Sequence, residues 1–168
     1  MTILDGNLQF TGTAGSTSAF TDSPTTGTQQ SNNVIDLAVA RDLGIGDDPA
    51  LKLLIGILTT FTGGTSLDVQ LQGAPDNGSG APGSYTTMWD STAIAEANLL
   101  AGRYIANIDL PRIWMPTPLA ATTMQAVPRF LRLNYVSVGT HGAGALYGFV
   151  VLDREDQLSY PPGVTVPN

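Results

Sequence analysis

The stretch that most constrains the fold is residues 128–139, which reads Pro-Arg-Phe-Leu-Arg-Leu-Asn-Tyr-Val-Ser-Val-Gly. Leu131, Leu133 and Tyr135 alternate with an arginine and an asparagine, so an extended strand presents one apolar and one polar face. A run of β-branched and aromatic residues bounded by proline and glycine favours a strand. We therefore predict a strand whose three apolar side chains enter the core.

Alternating patterns recur along the chain with turn residues between them. Residues 51–58 are apolar at both alternating sets of positions, which is typical of a central strand covered on both faces. Gly63 and Gly64 predict a turn, and clean alternation over 67–72 then suggests a hairpin. The predicted strands are 34–38, 51–58, 67–72, 85–90, 104–110, 129–138 and 145–153.

The one helix candidate is residues 91–102, where Ser91 or Thr92 can cap the start and Gly102 can end the helix. Many short strands with little helix are typical of a β-sandwich or barrel. We predict an all-β fold, an antiparallel β-sandwich of the jelly-roll type. Strand spacing by itself fits an immunoglobulin-like sandwich as well.

Composition divides the chain into three parts. Residues 1–32 are rich in Thr, Ser and Gly, with Phe10 and Phe20 isolated among them, and predict an extended N-terminal arm. Residues 33–158 hold the β-sandwich, and residues 159–168, with three prolines, predict an extended C-terminal tail. We expect the arm to be mobile in the isolated protein and to order across a neighbouring subunit, with both phenylalanines as anchors.

Charged side chains are scarce in this chain. Asp, Glu, Lys and Arg make up 12% of the residues, and the formal net charge is −7. Nucleic-acid binding requires clustered Lys and Arg, whereas the arginines here are scattered, so we expect no nucleic-acid partner. We expect no membrane partner either, because the longest apolar stretch, residues 51–61, is about half the ~20 residues of a spanning helix.

The residue pattern predicts neither catalysis nor a cofactor. His141 is the only histidine, and it lies in a Gly-rich segment between two predicted strands, where we expect an exposed hairpin residue. No Gly-x-Ser-x-Gly motif accompanies it, and a zinc site is not expected with one histidine and no cysteine. Acidic pairs such as Asp47 and Asp48 do not match an EF-hand, and we expect them to form turns. A hydrolase built on His141 or an aspartate pair is the weakest alternative.

Several segments follow one another in a characteristic order. Residues 8–10 form a short aromatic segment, 33–37 read Asn-Val-Ile-Asp-Leu, and 41–49 begin with Arg-Asp-Leu-Gly-Ile-Gly and end in proline. Residues 129–135 read Arg-Phe-Leu-Arg-Leu-Asn-Tyr, and a hydrophobic strand follows. This order resembles that of the jelly-roll capsid cement, or head decoration, proteins of tailed bacteriophages. The chain departs from the pattern at 21–31, an apparent insertion, and in the Gly/Pro-rich loop at 73–84.

The resemblance implies a structural virion protein without enzymatic activity, which lies on the outer surface of the capsid and stabilises it. Its implied partners are the major capsid protein and further copies of itself, as a homodimer or homotrimer. The candidate capsid or oligomer contacts are Phe10, Phe20, Trp114 and Tyr160. A carbohydrate-binding, lectin-like module on a phage surface is the main alternative, because Tyr85, Trp89 and Trp114 lie beside polar loops.

Overall fold

The computed structural model describes residues 8–13, 16, 18–38, 51–110 and 128–152. The described strands are β1 (Gly27–Gln30), β2 (Ile35–Asp36), β3 (Leu51–Ala74), β4 (Thr86–Asp90), β5 (Ile94–Ala95), β6 (Tyr104–Asp109) and β7 (Phe130–Leu152). They form one seven-stranded antiparallel sheet, and a short 3₁₀ helix occupies Glu96–Asn98. The all-β prediction is confirmed, while the second sheet of a sandwich stays a prediction.

Two long strands form the middle of the sheet. β3 pairs with β7 from Leu51, opposite Leu152, to Ala74, opposite Phe130. β1 and β2 pair with the other side of β7, whereas β4, β5 and β6 pair with the other side of β3. The predicted central position of residues 51–58 is therefore confirmed, because β6 and β7 flank them.

The two turns predicted within β3 and β7 are wrong, since both strands continue through them. Gly63 and Gly64 lie inside β3, and the β3–β7 register shifts four times between Ile57 and Ser66. Gly139 and other glycines here adopt positive φ, 80° in this case. Glycine in the left-handed region allows extra residues to bulge out while the ladder resumes beyond them. The sequence feature that we interpreted as a chain reversal is a run of bulges.

The buried apolar side chains of the described residues form one hydrophobic cluster, to which β3 and β7 contribute most. Leu131, Leu133 and Tyr135 are 0%, 0% and 1% exposed, which confirms the predicted phase of this strand. Their neighbour Asn134 is also buried, so the opposite face of β7 is covered too. The cluster also contains Phe10, Ile35, Leu53, Ile55, Ile57, Phe61, Leu67, Val69, Leu71, Leu99, Ala106, Leu110, Leu146 and Val150.

The predicted helix over 91–102 is wrong. Thr92 has a φ of 59°, which an α-helix does not allow, and the N–H of Ser91 donates to the carbonyl of Val69 at 3.0 Å. The next residues form β5 against β3 and the 3₁₀ turn. Leu99 is then fully buried, so the local helix propensity of this segment yields to sheet pairing and core packing.

Part of the segment predicted as an arm lies on the sheet of its own chain. β1 pairs with β7 from Gly27, opposite Ser137, to Gln30, opposite Asn134. Phe10 is fully buried in the core of the same chain. The domain boundary at residue 32 and the mobility of the arm stay predictions, and the predicted tail at 159–168 lies outside the described residues.

Candidate functional site

Two of the segments that carry the resemblance meet at Arg129. β2, from the segment at 33–37, pairs with the start of β7, where Asp36 lies opposite Phe130. Arg129 donates from Nε to Oδ1 of Asp36 at 2.7 Å and from Nη2 to Oδ2 at 2.9 Å, which is a bidentate pair. Its Nη1 donates to Asp76 in the loop after β3. We call Asp36, Asp76 and Arg129 the arginine clamp.

The clamp organises the Gly/Pro-rich loop. Asp76 Oδ1 accepts the backbone N–H groups of Gly78 at 2.7 Å and Gly80 at 3.0 Å. These two hydrogen bonds are the main cause of a lowered pKa for Asp76, whereas the hydrogen bond from Arg129 is the main cause of a lowered pKa for Asp36. One guanidinium thus links β2, β7 and the loop.

Three aromatic side chains lie close together near the C-terminal end of β7. The ring of Phe20 is half-buried, with its centroid 6.4 Å from that of Tyr147. Tyr104 is 59% exposed and lies opposite Gly56 in the β3–β6 pairing. The ring of Tyr147 covers the same glycine, so closely that a Cβ atom added to Gly56 would clash with the Tyr147 hydroxyl group. Burial, and then the neighbouring Tyr104 hydroxyl, raise the pKa of Tyr147. We call Phe20, Tyr104 and Tyr147 the aromatic patch.

Sequence reasoning missed Tyr104 as a candidate contact. Its alternation with Ala106 predicts a shared face, and Ala106 is indeed buried. The register with β3 shifts between Ile55 and Gly56, however, and this bulge leaves Tyr104 exposed. A glycine inside a strand pattern signals a bulge or a close approach, so Gly56 was the available signal.

A comparison with protein-family models gives the Bbp16 family, which matches residues 19–150. This range is well over half of the chain. The chain belongs to the Bbp16 family. Bbp16 proteins are bacteriophage proteins. No curated protein matches the chain.

Within this Bbp16 protein the matched range contains the whole arginine clamp and the whole aromatic patch. Of the four candidate contacts, Phe20 and Trp114 fall inside the range and Phe10 and Tyr160 outside it. Phe10 lies in the core, whereas Phe20 lies in the aromatic patch. Among the described ring contacts, none joins these two phenylalanines. Trp114 and Tyr160 lie outside the described residues, as does the segment at 41–49.

The polar face of β7 is occupied by its neighbours within the chain. Arg132 Nε donates to Gln72 at 2.9 Å, and Asn134 Nδ2 donates to Gln70 at 3.0 Å. The guanidinium of Arg132 also lies 3.6 Å from the ring centroid of Tyr85, a cation–π contact. The polar alternation that we read from the sequence therefore builds a ladder of hydrogen bonds between strands.

His141 is not the exposed hairpin residue that we predicted. It is 2% exposed, because β7 bulges here without turning back. Its ring packs edge-on against Phe61 at 5.2 Å and fills the space beside Gly64, while Nε2 lies 3.3 Å from the carbonyl oxygen of Ser66. Nδ1 has no hydrogen-bond partner among the described residues. This environment suits a packing role.

Two carboxylates approach each other between β3 and β4. Gln70 Nε2 donates to Asp68 at 3.0 Å and to Asp90 at 3.3 Å, and Ser91 Oγ donates to Asp68 at 3.2 Å. Burial raises the pKa of Asp68, and the neighbouring carboxylate of Asp90 raises it further. Across the described ranges, no cluster of three or more His, Asp or Glu residues is arranged to hold a metal ion. The described residues also include no helix that is long and apolar enough to cross a membrane.

We expect the arginine clamp to order the Gly/Pro-rich loop, and a substitution of Arg129 tests this. In an Arg129→Lys variant the charge remains but the bidentate geometry is lost, since an ammonium group cannot reproduce the guanidinium fork. We expect faster amide hydrogen exchange at Gly78 and Gly80, measured by NMR. Arg103→Lys is the matched control, because Arg103 is exposed and its guanidinium makes a long hydrogen bond of 3.5 Å to the side chain of Asn98. Equal exchange in the wild type and Arg129→Lys would show that the clamp does not order the loop.

Proposed function

We propose that this Bbp16 protein is a capsid cement, or head decoration, protein that binds the outer surface of a phage head and bridges major capsid protein subunits. One observation carries the proposal: the arginine clamp joins the segments at 33–37 and 129–135, through which the sequence resembles cement proteins. A direct contact between the two segments gives a physical reason for them to occur together in such a family. Membership of a bacteriophage family supports the same conclusion.

The physical profile of the chain suits a structural role outside the shell. A net charge of −7 repels DNA phosphates, which favours the outer over the inner surface of a filled head. The long β3–β7 ladder gives a scaffold with most of its contacts between distant parts of the chain. We propose that the sheet bends at its bulges around Gly63 and Gly139 and completes a jelly-roll sandwich.

The aromatic patch is the surface that we propose for contact with the shell. Tyr104 is the most exposed of the large hydrophobic side chains that the structure describes, and Phe20 was already a candidate contact. Exposed apolar surface marks interaction sites, and tyrosine is enriched among the residues that dominate interface energies. Trp114 and Tyr160 remain candidate contacts, whereas Phe10 serves the core of its own chain.

The carbohydrate-binding alternative has less support among the described residues. Trp89 is half-buried and packs against the core cluster, and the ring of Tyr85 is stacked by Arg132 at 3.6 Å. A sugar platform requires a free aromatic face. Neither ring offers an unobstructed platform comparable to Tyr104.

The test is reconstitution on heads. Purified protein is added to heads of its own phage from which it has been removed, and binding and the temperature of genome release are measured. We expect saturable binding and a higher release temperature. Heads that take up no protein, at any concentration, would contradict the proposed function.

Two variants separate the contact surface from the function. We expect Tyr104→Ala to weaken head binding by about tenfold or more, as for a typical tyrosine at the centre of an interface. Val138→Ala is the matched control, because Val138 is 52% exposed but lies away from the aromatic patch on β7. If the wild type binds and Tyr104→Ala binds equally well, the aromatic patch is not the contact surface.

A further inference from the structure

β1 is an edge strand of the described sheet. It pairs with β7 on one side only, and three of its four residues are exposed, with Gln29 half-buried. An edge strand presents a row of N–H and C=O groups that a further strand can use.

The hydrogen bonds to β7 identify the outward groups. The N–H of Ser31 donates to the carbonyl of Leu133 at 2.9 Å, so this pair is hydrogen-bonded. Hydrogen-bonded and non-hydrogen-bonded pairs alternate along an antiparallel ladder. Gln29 therefore bonds toward β7, while the backbone groups of Thr28 and Gln30 point away from it. No described residue pairs with the outward N–H groups of Thr28 and Gln30.

Apart from its short length, the edge lacks the features that usually protect one. Natural edge strands carry lysine, proline or a bulge that discourages pairing with another chain. β1 reads Gly-Thr-Gln-Gln, its pairing with β7 is regular, and no charged residue occurs between 23 and 35. In a chain of net charge −7, this neutral stretch is a place where two copies approach with little repulsion.

We propose that β1 pairs antiparallel with β1 of a second copy, about a twofold axis through Gln29. In this register Thr28 of each copy faces Gln30 of the other, and the two pairs exchange four main-chain hydrogen bonds. The contact is self-complementary and closes after two copies. Val34, which is 45% exposed and follows β1 in the chain, adds apolar area to the contact. The inference rests on the proposed function for its purpose, because a dimer bridges two positions on a shell.

The first test uses proline at an outward position. Thr28→Pro removes an outward N–H from each copy but none that β7 uses, since proline is tolerated on an edge strand when its nitrogen faces solvent. By analytical ultracentrifugation of the full chain, we expect wild-type dimers and an increase in Kd of about tenfold or more for Thr28→Pro. Should Thr28→Pro fail to fold, the double variant Thr28→Lys with Gln30→Lys replaces it, because like charges then face each other across the axis.

The second test is a disulfide across the axis. The chain has no cysteine, so Gln29→Cys introduces a single thiol. The two copies of residue 29 form a non-hydrogen-bonded pair with Cα atoms about 4.5 Å apart, which a disulfide can span. We expect Gln29→Cys to oxidise to a covalent dimer and Thr87→Cys, on the exposed edge strand β4, to form no covalent dimer under the same conditions.

The outcomes separate this inference from the proposed function. A wild type that stays monomeric, a Thr28→Pro variant that dimerises normally, or failure of Gln29→Cys to cross-link would overturn the β1 dimer. Mixed disulfides between Gln29→Cys and Thr87→Cys would also overturn it, since they indicate head-to-tail pairing of β1 with β4. Monomers that bind heads would refute the dimer and leave the cement function standing. Dimers that form through β1 but do not bind heads would refute the cement function and leave the β1 dimer standing.

Discussion

Replacing Leu133 by alanine is expected to lower the free energy of unfolding by about 2–5 kcal/mol, as for other leucines in well-packed cores. Leu133 is fully buried in the middle of β7, opposite Leu71 of β3. The measurement is urea unfolding followed by fluorescence and circular dichroism. Val138→Ala on the same strand is the control, and we expect it to change stability by less than about 0.5 kcal/mol because its side chain is 52% exposed. A loss below about 1 kcal/mol for Leu133→Ala would contradict the packing of this core.

The surroundings of Leu133 allow a stricter version of this experiment. A Cβ added at Gly148 would lie 2.6 Å from Cδ1 of Leu133, and its other neighbours, Thr11 and Phe10, are at ordinary distances of 3.6 and 3.7 Å. We therefore expect Gly148→Ala by itself to be destabilising. In the Leu133→Ala background the same methyl group enters space that the leucine has vacated. We expect the double variant to be more stable than the sum of the two single effects, and strict additivity would show that the two residues do not share this space.

Replacing Asp22 by alanine is expected to cost about 3 kcal/mol, because it leaves several buried donors without acceptors. Asp22 is 5% exposed and its carboxylate accepts from the N–H of Gly12 at 2.7 Å, the N–H of Asn32 at 3.1 Å and the hydroxyl of Tyr135 at 2.8 Å. Asp109→Ala is the control, since that side chain is 81% exposed and its contact with Lys52 is 3.6 Å long. An equal, small effect of both substitutions would contradict the role of Asp22.

Asp22 also gives the stability a defined dependence on pH. Burial raises its pKa above the ordinary 3.8 and outweighs the lowering by its hydrogen bonds from Gly12, Tyr135 and Asn32. The folded state therefore holds the proton more tightly than the unfolded state, and the resulting stabilisation is present below the ordinary pKa and lost as the pH rises through the folded one. Relative to Asp22→Asn, we expect the wild type to gain stability as the pH falls from neutral toward the ordinary pKa of an aspartate. A difference that is independent of pH would contradict this.

The comparison with the matched variant matters because other carboxylates act in the opposite direction. The pKa values of Asp36 and Asp76 are lowered in the folded protein, so their contributions are present above the ordinary pKa and are lost on acidification. Both groups remain in Asp22→Asn, and their effects cancel in the difference between the two proteins.

Local patterns in the sequence were sufficient to predict parts of five of the seven described strands, but they missed β1 and β5. Alternation gave the burial of Leu131, Leu133 and Tyr135, and the two-sided apolar pattern gave the central position of residues 51–58. Both patterns report only which face of a strand is covered, and that is decided by side chains a few residues apart. The prediction agrees with the structure along the regular parts of β3 and β7.

The two wrong turn predictions occur where glycine is ambiguous. Gly63 and Gly139 fit a turn as well as a bulge, because both require the left-handed backbone that glycine adopts without strain. Which one forms depends on the partner strand, and β3 and β7 are separated by more than fifty residues. The burial of His141 and the exposure of Tyr104 follow from such bulges, so periodicity predicted neither.

The arginine clamp was foreseeable only in part. The segments at 33–37 and 129–135 stood out in the sequence, but nothing in their spacing showed that Asp36 and Arg129 meet. The same holds for Asp22 and Tyr135, which are more than one hundred residues apart and form a buried hydrogen bond. Long-range polar pairs of this kind are set by strand register, and β2 and β1 pair with separate stretches of β7, residues 130–131 and 134–137.

The most direct measurement is a cryo-EM map of the parent phage particle at a resolution that traces strands. Our account predicts density for this seven-stranded sheet on the outside of the head, in contact with the major capsid protein through the surface that carries Phe20 and Tyr104. It also predicts neighbouring copies joined through β1. Density for this chain inside the shell, or only in the neck or tail, would contradict the proposed cement function.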